Sequence, residues 1–116
     1  MQHILTTKYL AMFDQLACTR SAQAAMMTLR PGQSTSDEPE NEHPRAEQWL
    51  FVVRGTGRAV VGRRRMTLKA GSLLLIEMGE PHQITNTGRK PLVTLNLYCP
   101  PAYTADGEVK PAVAKP

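Results

Sequence analysis

Two histidines and a glutamine are the residues of this chain best suited to chemistry. His82 lies in the segment Gly71–Asn86, GSLLLIEMGEPHQITN, just after the corner Glu77-Met78-Gly79-Glu80-Pro81 and at the start of a short strand-like run. His43 lies in a second polar cluster, Asn41-Glu42-His43-Pro44-Arg45-Ala46-Glu47-Gln48, five positions before Gln48. Two neutral imidazoles and one carboxamide oxygen can bind a divalent transition ion and leave positions open for water or substrate. Such a set carries no negative charge, so a bound ion keeps its full +2. Its field favours anionic ligands such as carboxylates and polarises a carbonyl or enol oxygen. Blander roles compete: His82 as a turn histidine bonded to backbone, His43 as an exposed loop residue, and Gln48 as a buried polar group satisfied by backbone.

The elements that must position these residues read mostly as strands. Glu47–Val53 (EQWLFVV) is rich in aromatic and β-branched residues, the composition of a half-buried pleated surface. Gln23–Leu29, Arg58–Val61, Met66–Leu68, Leu73–Ile76, His82–Thr85 and Leu92–Tyr98 complete the set. They are separated by Arg30-Pro31-Gly32, Gly55-Thr56-Gly57, Gly62-Arg63, Lys69-Ala70-Gly71 and Asn86-Thr87-Gly88, all turn chemistry. Short strands with a turn every several residues indicate an all-β sandwich or barrel. Thr7–Leu16 is expected to form a short helix with Thr7 as its cap. The residues from Pro100 onward, rich in Pro, Ala and charge, read as an extended tail outside the core.

At 116 residues the chain is one domain with one core. A hydrophobic fraction of 41% and a charged fraction of 21% are those of an ordinary soluble protein. No apolar run approaches a membrane span. The first residues lack the basic start and unbroken apolar stretch of a secretory signal, so the expected location is cytoplasmic. The net charge of +4 is spread along the chain, and Arg63-Arg64-Arg65 reads as a solvated hairpin loop. No recognition helix or aromatic RNA platform accompanies it, so nucleic acid is not an expected partner. Cys18 and Cys99 form no CxxC, which excludes a cysteine-rich zinc site, and both read as buried or half-buried fillers. Met26, Met27, Met66 and Met78 read as core or rim fillers.

The order of these elements resembles a cupin, a small jelly-roll β-barrel of the single-domain cupin 2 type. The second cupin motif is a glycine, five residues, a proline, any residue, a glycine, two residues, a histidine, three residues and an asparagine. It falls on Gly71, Gly79, His82 and Asn86 at full spacing, with Glu77 at the proline position. The first motif opens with a glycine, here Gly32. It runs through a His-x-His pair to an acidic or Gln slot and closes on a glycine six residues later. Gly55 makes Gln48 the residue of that slot, His43 the second histidine and Asn41 the occupant of the first histidine position. The resemblance implies an extension over 1–21, a cupin barrel over 22–101 and a tail over 102–116. It also implies a metal held by His43, Gln48 and His82, with zinc, nickel, manganese or iron as the ion. Cupins of pectin degradation, which act on unsaturated uronates, use Gln at the slot of Gln48. Asn41 is a poor ligand beside imidazole and reduces four ligands to three. Asn41 and His43 are expected on one face of an extended segment.

Three functional expectations follow. The first is a small metal-dependent enzyme with isomerase, tautomerase or lyase-like chemistry on an anionic or sugar-derived small molecule. The second is an oxygen-using cupin dioxygenase. The third is a metal-free module that binds a small ligand. Tyr98, Tyr103, Glu42 and Arg30 are the candidates near the barrel mouth for a proton-moving group. Otherwise Glu42, Glu47 and Glu80 read as solvated, His3 as exposed or structural, and Asn86 as a turn residue. Trp49 and Phe51 alternate with Gln48. If Gln48 points into the barrel they point out, and covering that apolar pair favours a homodimer packed on this strand.

Overall fold

A computed structural model of the chain describes residues 1–108. Eight strands form two antiparallel sheets: β1 (Phe13–Cys18), β2 (Gln23–Leu29), β3 (Glu47–Arg54), β4 (Thr56–Val61), β5 (Arg64–Lys69), β6 (Leu73–Ile76), β7 (His82–Asn86) and β8 (Leu92–Cys99). The larger sheet has the order β1-β2-β8-β3-β6 and the smaller one β5-β4-β7. This is a jelly roll, as the sequence indicates.

Alternation sets the interior. Along β3, Gln48, Leu50 and Val52 are buried and Trp49, Phe51 and Val53 are exposed, the two-residue period of a strand packed on one face. Leu50 and Val52 meet Met27 and Leu29 from β2, Leu92 from β8, Ala59 from β4 and Ile84 from β7 in one apolar cluster. Each fully buried aliphatic side chain contributes about 1.5–3 kcal/mol by leaving water. Gly55 links β3 to β4 at φ +95°, and a β-carbon there would lie 2.5 Å from the Pro91 carbonyl oxygen. Only glycine meets both demands.

The interior is layered. Register aligns Gln23, Tyr98 and Gln48 in one row across β2, β8 and β3, and all three side chains are buried. Two residues further along each strand stand Ala25, Asn96 and Leu50, and beyond them the apolar base. The polar row therefore lies at one end of the barrel, where β7 begins with His82.

Three expectations are corrected here. The helix over Thr7–Leu16 does not form: Thr6–Lys8 is a single 3-10 turn with no side-chain cap, and Phe13–Cys18 is β1, paired antiparallel with β2. Sheet pairing and packing of Phe13 against Tyr98 and Tyr103 override local helix propensity. The tail is not outside the core at its start, because Ala102 is buried with Ala25, Ala46 and Tyr98. Its last residues, 109–116, lie outside the described part. Asn86 is no turn residue: its buried side chain donates to the Leu29 and Lys90 carbonyls and accepts from the Gly88 amide. Among smaller differences, Cys18 and Met78 are exposed, whereas Cys99 is half-buried.

Candidate metal centre at the barrel mouth

His82 is delivered by β7, and its backbone is fixed from outside the named strands. Glu40 bridges to it through paired amide-to-carbonyl bonds of 3.0 and 2.9 Å. After Glu40 the chain folds inward over the barrel mouth. Asn41 is exposed, Glu42 half-buried and His43 buried. Asn41 and His43 thus do not share a face, and Asn41 takes no part in the site. The Pro44–Ala46 turn is closed by a bond from the Ala46 amide to the His43 carbonyl, and β3 then brings in Gln48.

The three expected residues converge. The rings of His43 and His82 lie 4.9 Å apart between centroids. Each imidazole places Nδ1 on a backbone carbonyl at 3.0 Å, His43 on Ala46 and His82 on Glu80. Nδ1–H donation of this kind fixes the tautomer and turns the Nε2 lone pair outward, the usual arrangement of a ligating histidine. His43 Nε2 lies 2.8 Å from Gln48 Oε1.

The orientation of Gln48 follows from its neighbours. Asn96 Nδ2 donates to Thr94 Oγ1 at 2.9 Å, and Thr94 Oγ1 donates onward to the Met27 carbonyl. Asn96 Oδ1 is then left to accept from Gln48 Nε2 at 2.8 Å, so Gln48 Oε1 is the atom that faces His43. A neutral His43 with Nδ1 protonated therefore points a lone pair at a lone pair. A proton or a cation held by both atoms removes that conflict. Among the described residues no three His, Cys, Asp or Glu side chains cluster to hold a metal ion. Any metal here has the carboxamide of Gln48 as its third protein donor. Two imidazoles oriented by carbonyls and one carboxamide oxygen fit a divalent transition ion.

A cavity of about 260 Å³ adjoins these residues, with His82, Gln48, Glu42, Tyr98 and Tyr103 in its wall. Arg30 is exposed and outside it. Glu42 is not the solvated residue expected: its Oε1 is buried with no hydrogen-bond partner among the described residues. Burial raises its pKa, against the opposing pull of His43. Burial also lowers the pKa of His82, which keeps that imidazole neutral and available as a donor. Tyr98 is raised well above the usual phenol range by burial, and Tyr103 is pushed up to about 12 by the same cause. Both phenols stay protonated; the hydrogen bond between them engages the Tyr98 hydroxyl, which leaves the Tyr103 hydroxyl to donate to an oxygen in the cavity.

Tyr103 reaches this wall through a clamp absent from any motif. Gln23 Oε1 accepts from the amides of Ala102 and Tyr103, and its Nε2 donates to the Tyr103 carbonyl and to Gln15 Oε1. Gln15 Nε2 donates to the Thr104 carbonyl. The Tyr103 ring then packs on Phe13 at 4.9 Å and on Tyr98 at 5.1 Å. Tyr103 is a candidate from its place near the predicted mouth, and the clamp that fixes it has no signature in the sequence beyond two glutamines on neighbouring strands.

Known proteins resemble the chain in the same region. The family described as "Cupin domain" matches residues 25–98. A mannose-1-phosphate guanylyltransferase of Klebsiella pneumoniae is 32% identical over 71 residues, 61% of this chain and 14% of that protein. The xanthan biosynthesis protein XanB of Xanthomonas campestris pv. campestris is 30% identical over 85 residues, 73% of this chain and 18% of that protein. The chain thus spans less than a fifth of either relative. A crystal structure of a Bacillus halodurans protein superposes with a TM-score of 0.77 at 27% identity, covering 90% of this chain and 80% of that one. Among the described residues no helix is long and apolar enough to cross a membrane. With the family match spanning both histidines, Gln48 and seven of the eight strands, this chain belongs to the cupin domain family.

Proposed function

We propose that this chain is a metal-dependent cupin that binds a small anionic or sugar-derived molecule and moves a proton on it, in isomerase, tautomerase or lyase-like chemistry. One observation carries the reading: His43 Nε2 and Gln48 Oε1 face each other at 2.8 Å beside His82, with both histidines oriented through Nδ1 by backbone carbonyls. A divalent ion bound there would supply a Lewis-acidic charge beside the cavity.

The chain's own residues supply the rest. His43, Gln48 and His82 form a neutral set, so an anionic ligand meets no carboxylate among them. Tyr98 and Tyr103 hold protonated hydroxyls in the wall, and Tyr103, which accepts from Tyr98, can donate to a ligand oxygen. Glu42 offers a buried carboxyl oxygen that no donor among the described residues satisfies, which suits proton exchange with a ligand carbon or hydroxyl. The cavity of about 260 Å³ is at the small end for ligand sites and suits a molecule of sugar-acid size or smaller. The relation to a mannose-1-phosphate guanylyltransferase supports an anionic sugar derivative.

Metal analysis of protein purified without an affinity tag tests the reading. About one equivalent of a divalent transition metal per chain, lost in His82→Ala, is the expected result. Absence of metal after loading with zinc, nickel, manganese and iron in turn would overturn it in favour of a metal-free binding module. Iron together with oxygen uptake would move it to a dioxygenase.

A further inference from the structure

The cavity beside His82 has two chemically different halves. Gln48, His82, Glu42 and Tyr103 stand in the polar half, and Met12, Phe13, Met27 and Ile84 make the apolar one. Register explains the division. His82 and Ile84 are both buried along β7, two positions and about 7 Å apart on the same face. Phe13 of β1 pairs with Met27 of β2, so those two side chains share a face and close the same half from the larger sheet.

The apolar half offers a ligand little to hydrogen-bond. Among the described residues that line it, Thr35 brings a hydroxyl, and its Oγ1 already accepts from the Ile84 amide. Ile84 is 1% and Met27 6% exposed. A ligand hydroxyl set against them leaves water and gains no partner, which lowers affinity on the order of tenfold. A methylene in the same place raises it roughly fourfold. The exposed members of the wall, Met12 and Gly107, mark its open side, so the apolar half leads outward from the polar residues. Two unbranched methionine side chains adapt to tails of different shape.

We infer that the ligand is an amphiphilic small carboxylate. Its carboxylate and an adjacent oxo or enol oxygen lie at His43, Gln48 and His82, and its apolar tail runs along Ile84, Met27 and Phe13 toward Met12. The inference rests on the metal site proposed above. It narrows the ligand from anionic or sugar-derived molecules to 2-oxo acids with an apolar side chain. Size agrees: at the roughly 30 Å³ that one water takes in the liquid, a cavity of about 260 Å³ holds about nine non-hydrogen atoms, the size of 2-oxohexanoate. A hexuronate would set its ring hydroxyls against Met27 and Ile84.

Calorimetric titration of the full chain loaded with zinc tests it, with pyruvate, 2-oxohexanoate, 2-oxoglutarate and galacturonate as probes. 2-Oxohexanoate should bind about tenfold or more tighter than pyruvate, because each buried methylene adds roughly fourfold. It should also bind tighter than the two probes with polar tails, and with the most negative heat-capacity change. Ile84→Thr should cut the ratio of 2-oxohexanoate to pyruvate affinity roughly fivefold. If that variant does not fold, Met12→Gln at the exposed rim takes its place. Equal or tighter binding of pyruvate, 2-oxoglutarate or galacturonate with zinc in place would overturn the inference and leave the metal site standing. So would a lack of binding by any probe. If zinc itself does not bind, the metal reading fails, and hexanoate against acetate on the metal-free protein decides the inference, equal affinity overturning it.

Discussion

His43 Nε2 and Gln48 Oε1 stand 2.8 Å apart with the remaining polar atoms of both side chains already committed, His43 Nδ1 to the Ala46 carbonyl and Gln48 Nε2 to Asn96. With His43 protonated on Nδ1 the two atoms present facing lone pairs, the cradle that the proposed metal ion would fill. Buried polar networks that are satisfied in one direction only carry a cost of about 1–3 kcal/mol for the atom left over. A cation shared by the two atoms relieves it.

Gln48→Glu should lower the thermal midpoint of the metal-free protein and bind divalent ions more tightly. The new carboxylate cannot donate to Asn96 Oδ1, and the lost buried bond costs about 1–3 kcal/mol. Added negative charge beside two imidazoles strengthens cation binding. Thermal melts with and without added metal check both halves: a midpoint depressed without metal and recovered with it.

Glu42→Gln should raise stability at pH 7.5 and leave it unchanged near pH 4. The folded pKa of Glu42 lies above its ordinary value of 4.5 because burial penalises the carboxylate. Its favourable contribution is fully present below that ordinary value and is lost as pH rises through the raised one. Removing the charge abolishes the loss. Urea unfolding of both proteins across this pH range gives the answer, and a gain at pH 4 equal to that at pH 7.5 would contradict it.

Gln23→Leu should free the strap 102–104 from the mouth. Four hydrogen bonds of Gln23 end on Ala102, Tyr103 and Gln15, and their net loss is about 1–3 kcal/mol. Amide hydrogen exchange should accelerate at Ala102 and Tyr103 while β3 and β8 keep their protection, because the apolar base of the barrel is remote from Gln23.

Gly55→Ala should destabilise the barrel by roughly 2–5 kcal/mol, the combined cost of a strained φ and of overpacking. A β-carbon at this position meets the Pro91 carbonyl oxygen at 2.5 Å, and backbone cannot step aside as a side chain can. Chemical denaturation of the variant measures the loss.

The strands were legible wherever two-residue alternation and turn residues agreed. Leu73–Ile76 is bounded by Gly71 and the Glu77–Pro81 corner, and parity sets Gln48 and Trp49 on opposite faces of β3. His43, Gln48 and His82 are legible only through the spacing of the two cupin motifs that the sequence resembles. Residues that depend on the path of an irregular segment were not legible. Asn41 and His43 differ in exposure because the chain turns inward after its bridge to His82, and that turn has no periodicity to read. Thr7–Leu16 reads as a helix in isolation because it is pairing with β2 that makes Phe13–Cys18 a strand. Tyr103 is a mouth candidate from the sequence, but the clamp of glutamines on β1 and β2 that fixes it spans some eighty positions along the chain and leaves no local signal.

The most direct test is a crystal of metal-loaded protein measured at the absorption edge of the ion. An anomalous peak is expected about 2.0–2.2 Å from His43 Nε2, His82 Nε2 and Gln48 Oε1. An empty mouth in which His43, protonated on both nitrogens, donates to Gln48 Oε1 would contradict it.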